Sequence, residues 1–114
     1  AIQLAIFPTA EALNRAFADF FILYRPKDIV SGDFYWFYET GDEWFFAVAD
    51  CTGHGVPGAF MSMIGNDLLN QIVIERGVRR PAEILDGLHA GVRTALKQGT
   101  ETETSIGQDG MDIV

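Results

Sequence analysis

The sequence predicts an α+β fold, part of a larger layered sandwich with a mainly antiparallel sheet. Three observations carry that reading. Two aromatic-rich runs, DFYWFYE (33–39) and WFFAVAD (44–50), flank the short polar stretch TGDE, which is a hairpin pattern. Two helical patterns follow, one over 56–77 and one opened by Pro81. The hairpin is apolar on both faces, with Phe34, Trp36 and Tyr38 on one and Tyr35 and Phe37 on the other. A half-solvated antiparallel sheet would alternate with polar residues instead. The helices cover one face, so the second needs another layer, and the C-terminal half that would supply it is expected to be absent from these 114 residues.

Each element has its own signal. AIQLAIF reads as the tail of an amphipathic helix that Pro8 ends. Thr9 then caps a short helix, AEALNRAF, with Glu11 in its first turn. FFILYRP (20–26) reads as a strand, followed by the two hairpin strands. The helix VPGAFMSMIGNDLLNQIVIERG has Pro57 near its first turn and Gly77 at its C-terminal cap. After Pro81, the residues Ile84, Leu85, Leu88, Val92, Ala95 and Leu96 make one apolar stripe. GTETETSIGQDG is a polar loop, and MDIV starts a strand. No internal repeat or low-complexity segment interrupts this order.

Composition narrows the function classes. A formal charge of −8 argues against nucleic acid or an anionic membrane as partner, because both need basic surface. Acidic clusters suit hard divalent cations instead. The single cysteine rules out an internal disulfide and fits a reducing compartment. No apolar run approaches a membrane span, and the N-terminal stretch lacks a basic leader pattern, so a cytoplasmic protein is expected.

The hairpin arithmetic brings two acids together. With Gly41-Asp42 as a two-residue loop, glycine first as type II′ prefers, Thr40 pairs with Glu43 and Asp33 pairs with Asp50. A four-residue loop keeps that register, whereas a three-residue bulged loop would break it. Directly opposite residues have Cβ atoms roughly 4.5–5.5 Å apart, and like charges there are destabilising unless neutralised. Asp33 and Asp50 either cap their local turns or share a cation, and the pairing favours the cation. Mg²⁺ or Mn²⁺ accepts carboxylates and keeps several waters, and two such ions about 3.5–4 Å apart form the clamp of phosphate-ester hydrolysis.

The turn that follows, CTGHGVPG, contains Gly53-x-Gly55-x-x-Gly58. A dinucleotide site would need a βαβ unit, and here one helix leads to another. A phosphate-binding P-loop fails because Ala59-Phe60 follows Gly58. Cys51 could be a nucleophile, but no arginine follows until Arg76, so a semi-buried thiol is the expectation. Its backbone carbonyl remains available to a hard cation. His54 is either a locally bonded loop residue or a donor near metal-bound water. The three glycines serve sharp turning, and the free N–H groups at the helix start could attract a phosphoryl oxygen. His89, Asp67 and Glu75 read as surface residues. Arg25-Pro26-Lys27 could steer a phosphate or serve solubility alone. Asp109 and Asp112 could approach the site, but a turn or strand-end role comes first.

The motifs YRPKDIVSGDFYWF, VADCTGHGVPGAFMSMIG and DGMDI resemble the serine phosphatase domain of the stage II sporulation protein E type, a branch of the metal-dependent, type-2C-like phosphatases. The resemblance implies an αββα sandwich with a two-metal Mn²⁺ or Mg²⁺ centre between its sheets, where water attacks a phosphoserine or phosphothreonine. It implies that Asp33 and Asp50 are catalytic metal-ligand aspartates and that the Cys51 carbonyl is a further metal ligand. Residues 1–17 match a regulatory or linker helix, and 18–114 match the N-terminal part of the phosphatase domain. Further metal-binding aspartates of the family lie in its C-terminal half, and DGMDI matches an earlier strand, so no metal role passes to Asp109. The implied partners are a phosphorylated protein such as an anti-sigma factor antagonist and an upstream sensor domain. Neither nucleic acid nor direct membrane contact is expected, and a homodimer is left open. The alternative is a non-catalytic, truncated or degenerate phosphatase-fold module that acts in partner binding or regulation.

Overall fold

A computed structural model describes residues 5–26, 29–53, 55–99 and 110–114. Within them come helix α1 (Ala10–Ala16), strands β1 (Asp33–Glu39) and β2 (Trp44–Cys51), helix α2 (Gly55–Leu69), helix α3 (Pro81–Gly99) and strand β3 (Met111–Ile113). The strands form one antiparallel sheet in the order β1-β2-β3. Side chains alternate across it. One face carries Phe34, Trp36, Ala47, Ala49 and Cys51, all buried in the same cluster as the helix residues Met61, Leu69, Ile84, Leu88 and Val92. The opposite face carries Tyr35, Phe37, Phe46 and Val48, and at its end the aspartates.

The helices sit where their patterns direct. Gly65 of α2 rides over the buried Phe34 ring, so close that a Cβ there would fall 2.7 Å from it. On α3, Ile84, Leu88 and Val92 are buried, but Leu85 is exposed, so the seam is narrower than the predicted stripe. The helical pattern over 56–77 is not uniform. It widens into a π-helical turn over Asn70–Glu75, then stops at Gly77 with φ +71°. The Val73 carbonyl accepts from Arg79 Nη1 at 3.0 Å, and Asn70 Oδ1 accepts from Trp36 Nε1 at 2.9 Å. These side chains satisfy polar groups on both the wide turn and the sheet, where an unpaired buried group would cost stability.

The N-terminal segment lies against the other face. Thr9 caps α1, accepting from the Ala12 amide at 3.2 Å, and Leu13 and Ala16 are buried. Phe7 meets Tyr35 at a centroid distance of 4.7 Å, and Phe17 meets Phe46 at 5.7 Å. Of the predicted helical tail over 1–7, residues 1–4 lie outside the described residues, and Ala5 and Ile6 are in a 3₁₀ turn. Phe7 precedes Pro8, and the residue before proline is pushed out of the helical region.

Two further expectations fail. The predicted strand over 20–26 does not form; Phe21 and Leu23 are 90% and 75% exposed. A strand is held by its ladder to a neighbour, and among the described residues the sheet ends at β1 and β3 without pairing this segment. The hairpin loop is also not type II′, because Gly41 does not have the positive φ that turn demands. Residues 40–43 form a four-residue connection instead. In it Thr40 Oγ1 accepts from the Asp42 and Glu43 amides at 3.3 and 3.0 Å. The register is the one the sequence predicts.

The Trp36–Asn70 bond predicts a measurable stability effect. Asn70→Ala leaves the indole N–H without this acceptor and should cost about 1–3 kcal/mol. The check is a lower urea midpoint at unchanged slope.

Candidate metal centre

Asp33 opens β1 and Asp50 lies next to last in β2, and the two are register partners. The kind of pair matters. Gly32 accepts from the Cys51 amide at 3.2 Å, and Thr40 donates to the Glu43 carbonyl at 2.9 Å. Those two pairs fix the alternation, which makes Asp33–Asp50 a non-hydrogen-bonded pair, the closer of the two antiparallel kinds. Both side chains stand on the face away from the helices. They come near enough to exchange a hydrogen bond. Partial burial, then that bond and the Asp50 charge, push the Asp33 carboxyl above the usual range.

Strand β3 adds a third acid. Val48 and Val114 exchange backbone hydrogen bonds at 2.9 and 3.0 Å, so two residues on, Asp50 and Asp112 form a hydrogen-bonded, wider pair. Asp33, Asp50 and Asp112 therefore occupy one row on one face. From sequence Asp112 reads as a strand-end residue first and as a residue near the site second, because nothing local ties β3 to β2. What ties it is Thr52, whose amide and hydroxyl both bond Gly110, at 2.8 Å and 2.9–3.0 Å.

The glycines act through close backbone approach. A Cβ at Gly32 would lie 2.7 Å from the Cys51 carbonyl oxygen, and one at Gly58 would lie 2.7 Å from the Gly53 carbonyl oxygen. Gly53 itself has φ +89°. The start of β1, the end of β2 and the start of α2 thus meet backbone to backbone. Beside them, the Ser31 hydroxyl accepts from the Asp33 amide at 3.0 Å and the Tyr24 hydroxyl donates to the Asp33 carbonyl at 3.3 Å.

Cys51 is buried on the helix side. Burial, followed by the charges of Asp50 and Asp33, pushes its thiol up to about 12. That shift favours the thiol over the nucleophilic thiolate. Only its carbonyl belongs to the loop beside the aspartates. The dinucleotide reading also fails, since among the described residues every strand pairing is antiparallel and α2 leads to α3. Asp67 accepts from Gln71 at 2.8 Å on α2, and Glu75 and His89 are exposed elsewhere. His54, Lys27 and Asp109 lie outside the described residues.

An open cleft of about 570 Å³ is lined by Asp33, Asp50 and Asp112, together with Arg25, Tyr35 and Val48. Its donor set fits a hard cation in part. Two convergent carboxylates suit an ion that keeps several waters. Among the described residues, no group of three or more acidic, histidine or cysteine side chains is close enough to hold an ion.

The structure resembles the SiaA-PP2C domain of Pseudomonas aeruginosa, with a TM-score of 0.73 and 34% sequence identity. The match covers 98% of this chain and 42% of that one. The chain therefore has the α+β fold of part of a PP2C-like domain and spans less than half of its relative's length. No family profile and no curated protein matches it. Among the described residues, no helix is long and apolar enough to cross a membrane.

Two outcomes follow from this geometry. Gly32→Ala should cost about 1–3 kcal/mol, since backbone must shift to admit the methyl group; thermal unfolding measures it. Asp33→Asn should raise the metal-free midpoint at pH 7 by roughly 1–4 °C, because it removes one of two facing charges. The raised Asp33 pKa favours the folded state at low pH, and that contribution is lost as pH rises through the folded value. The difference between wild type and Asp33→Asn should accordingly shrink on acidification, which a series of melts at falling pH checks.

Proposed function

We propose that this chain is the N-terminal part of a metal-dependent protein serine/threonine phosphatase of the stage II sporulation protein E type. The observation that carries this reading is the close Asp33–Asp50 pair, within a PP2C-like fold. Asp33 and Asp50 would hold Mn²⁺ or Mg²⁺, with the Cys51 carbonyl as a further ligand. When bound, such ions lower the pKa of water and neutralise charge on phosphoryl oxygens. Hydrolysis then forms a bond from water oxygen to phosphorus and breaks the serine or threonine ester bond, and the departing alkoxide takes a proton.

The chain's own residues set the stage for that exchange. The narrow pair places two anionic oxygens side by side, and the Ser31 and Tyr24 bonds hold the start of β1 in place. With water as the nucleophile no covalent phosphoenzyme is needed, in keeping with the burial of the Cys51 thiol. The substrate in this reading is a phosphorylated bacterial signalling protein, with an anti-sigma factor antagonist as the first candidate. An upstream sensor, a cytoplasmic setting and a role for 1–17 as regulatory helix belong to the same proposal.

A second reading is a non-catalytic module of phosphatase fold that binds a partner. The observation behind it is that, among the described residues, no group of three or more acidic, histidine or cysteine side chains is placed to hold an ion. Mn²⁺-dependent hydrolysis of a phosphopeptide by the natural protein carrying this sequence separates the two. The phosphatase reading expects turnover that Asp50→Asn lowers by roughly 100-fold or more while the circular dichroism spectrum is kept. Full turnover in that variant contradicts it, and absence of both turnover and Mn²⁺ binding favours the module.

A further inference from the structure

We infer that Asp112 is a positioning residue for a hydrated divalent cation: its carboxylate accepts hydrogen bonds from the water that an ion on Asp33 and Asp50 keeps. The inference rests on the metal centre of the phosphatase reading and adds to it a third carboxylate that acts through water. Asp112 stands on β3 as the register partner of Asp50, which is itself the partner of Asp33. All three line the same cleft.

The two pairs in this row are not equivalent. Asp33–Asp50 is the narrow kind and Asp50–Asp112 the wide kind, with Cα separations of about 4.5 and 5.5 Å respectively. Two strand spacings put Asp112 roughly 10 Å from Asp33. An ion bonded to the narrow pair lies about 2.0–2.1 Å from its ligand oxygens if it is Mg²⁺, too short a bond to span the whole row. In keeping with this, the three aspartates are not a group close enough to hold one ion together. Such an ion keeps several waters, each a donor polarised by the metal charge. Asp112 offers those donors an acceptor on the far side of Asp50.

The backbone holds Asp112 in that place from both sides. Before it, the Thr52 amide and hydroxyl bond Gly110 at 2.8 Å and 2.9–3.0 Å. After it, Val48 and Val114 exchange two backbone hydrogen bonds. Its side chain is exposed. Without a cation, a third like charge in the row only adds repulsion; with one, the same charge attracts the ion's water shell. A carboxylate that merely ends a strand would leave metal binding untouched. One that bonded the metal directly would change how many waters the ion carries.

The test uses the natural protein carrying this sequence, the variant Asp112→Asn and, as a control for net charge, Glu75→Gln on the exposed side of the π-helical turn. Three quantities are measured: Mn²⁺ affinity by calorimetry, the number of waters on bound Mn²⁺ by water-proton relaxation, and Mn²⁺-dependent phosphopeptide hydrolysis. Asp112→Asn should weaken Mn²⁺ binding roughly 10-fold, as loss of an outer-shell partner does, with the water count unchanged. Glu75→Gln should keep wild-type values of both. Asp112→Ser carries the same expectation as Asp112→Asn and stands in for it if the asparagine variant loses the wild-type circular dichroism spectrum. Wild-type affinity without the Asp112 carboxylate overturns the role. An equal loss in Glu75→Gln overturns it too, because that is an effect of overall charge. So does one more coordinated water in Asp112→Asn, the signature of a lost direct ligand. If Mn²⁺ binding depends on Asp112 as expected yet wild type hydrolyses nothing, the inference stands and the phosphatase reading falls. If wild type binds no Mn²⁺, both fall.

Discussion

Two negatively charged side chains face each other across the narrow pair of an antiparallel hairpin, and much of the surrounding structure exists to keep them there. Left alone, Asp33 and Asp50 would gain by slipping apart. A slip of one residue would turn every side chain of a strand to the other face, driving Phe34 and Trp36 into solvent and the acid toward the helices. The buried face therefore locks the register that the charged face disfavours. Burying one such aromatic side chain contributes about 1.5–3 kcal/mol, more than the roughly 0.2–1 kcal/mol that opposed charges of like sign cost. The fold can carry this local repulsion without distortion.

The lock has a second component at the end where the acids sit. Gly32, Gly53 and Gly58 let three chain segments touch through their backbones, with no side chain between them. Thr52 then fastens β3 to β2 through Gly110. The face that bears the aspartates is apolar farther along and only partly covered, by Phe7 and Phe17 of the N-terminal segment.

The sequence made the hairpin register, the helix order and the Asp33–Asp50 pair legible, because each depends on local spacing. Loop type was legible only in part. The four-residue connection and the type II′ turn share one register, and it was the Thr40 hydroxyl that decided between them. The segment 20–26 has a strand's composition, but forming a strand requires a neighbour that composition cannot supply. The π-helical turn was not visible either; it opens at Asn70, whose side chain bonds Trp36 of β1, a contact between residues distant in sequence. Asp112 joined the acidic row through Thr52 and Gly110, a contact spanning 58 residues that no local pattern announces. Cys51 illustrates the reverse: residue type points to a semi-buried thiol, and the structure buries it fully on the helix side of the sheet.

The most direct test of the shared-ion account is diffraction from a Mn²⁺-loaded crystal of the natural protein carrying this sequence, with anomalous data at the manganese edge. The account predicts an anomalous peak within about 2.5 Å of a carboxylate oxygen from both Asp33 and Asp50. A peak that touches neither aspartate, or carboxylates turned to opposite sides of the sheet with the ion elsewhere, would contradict it.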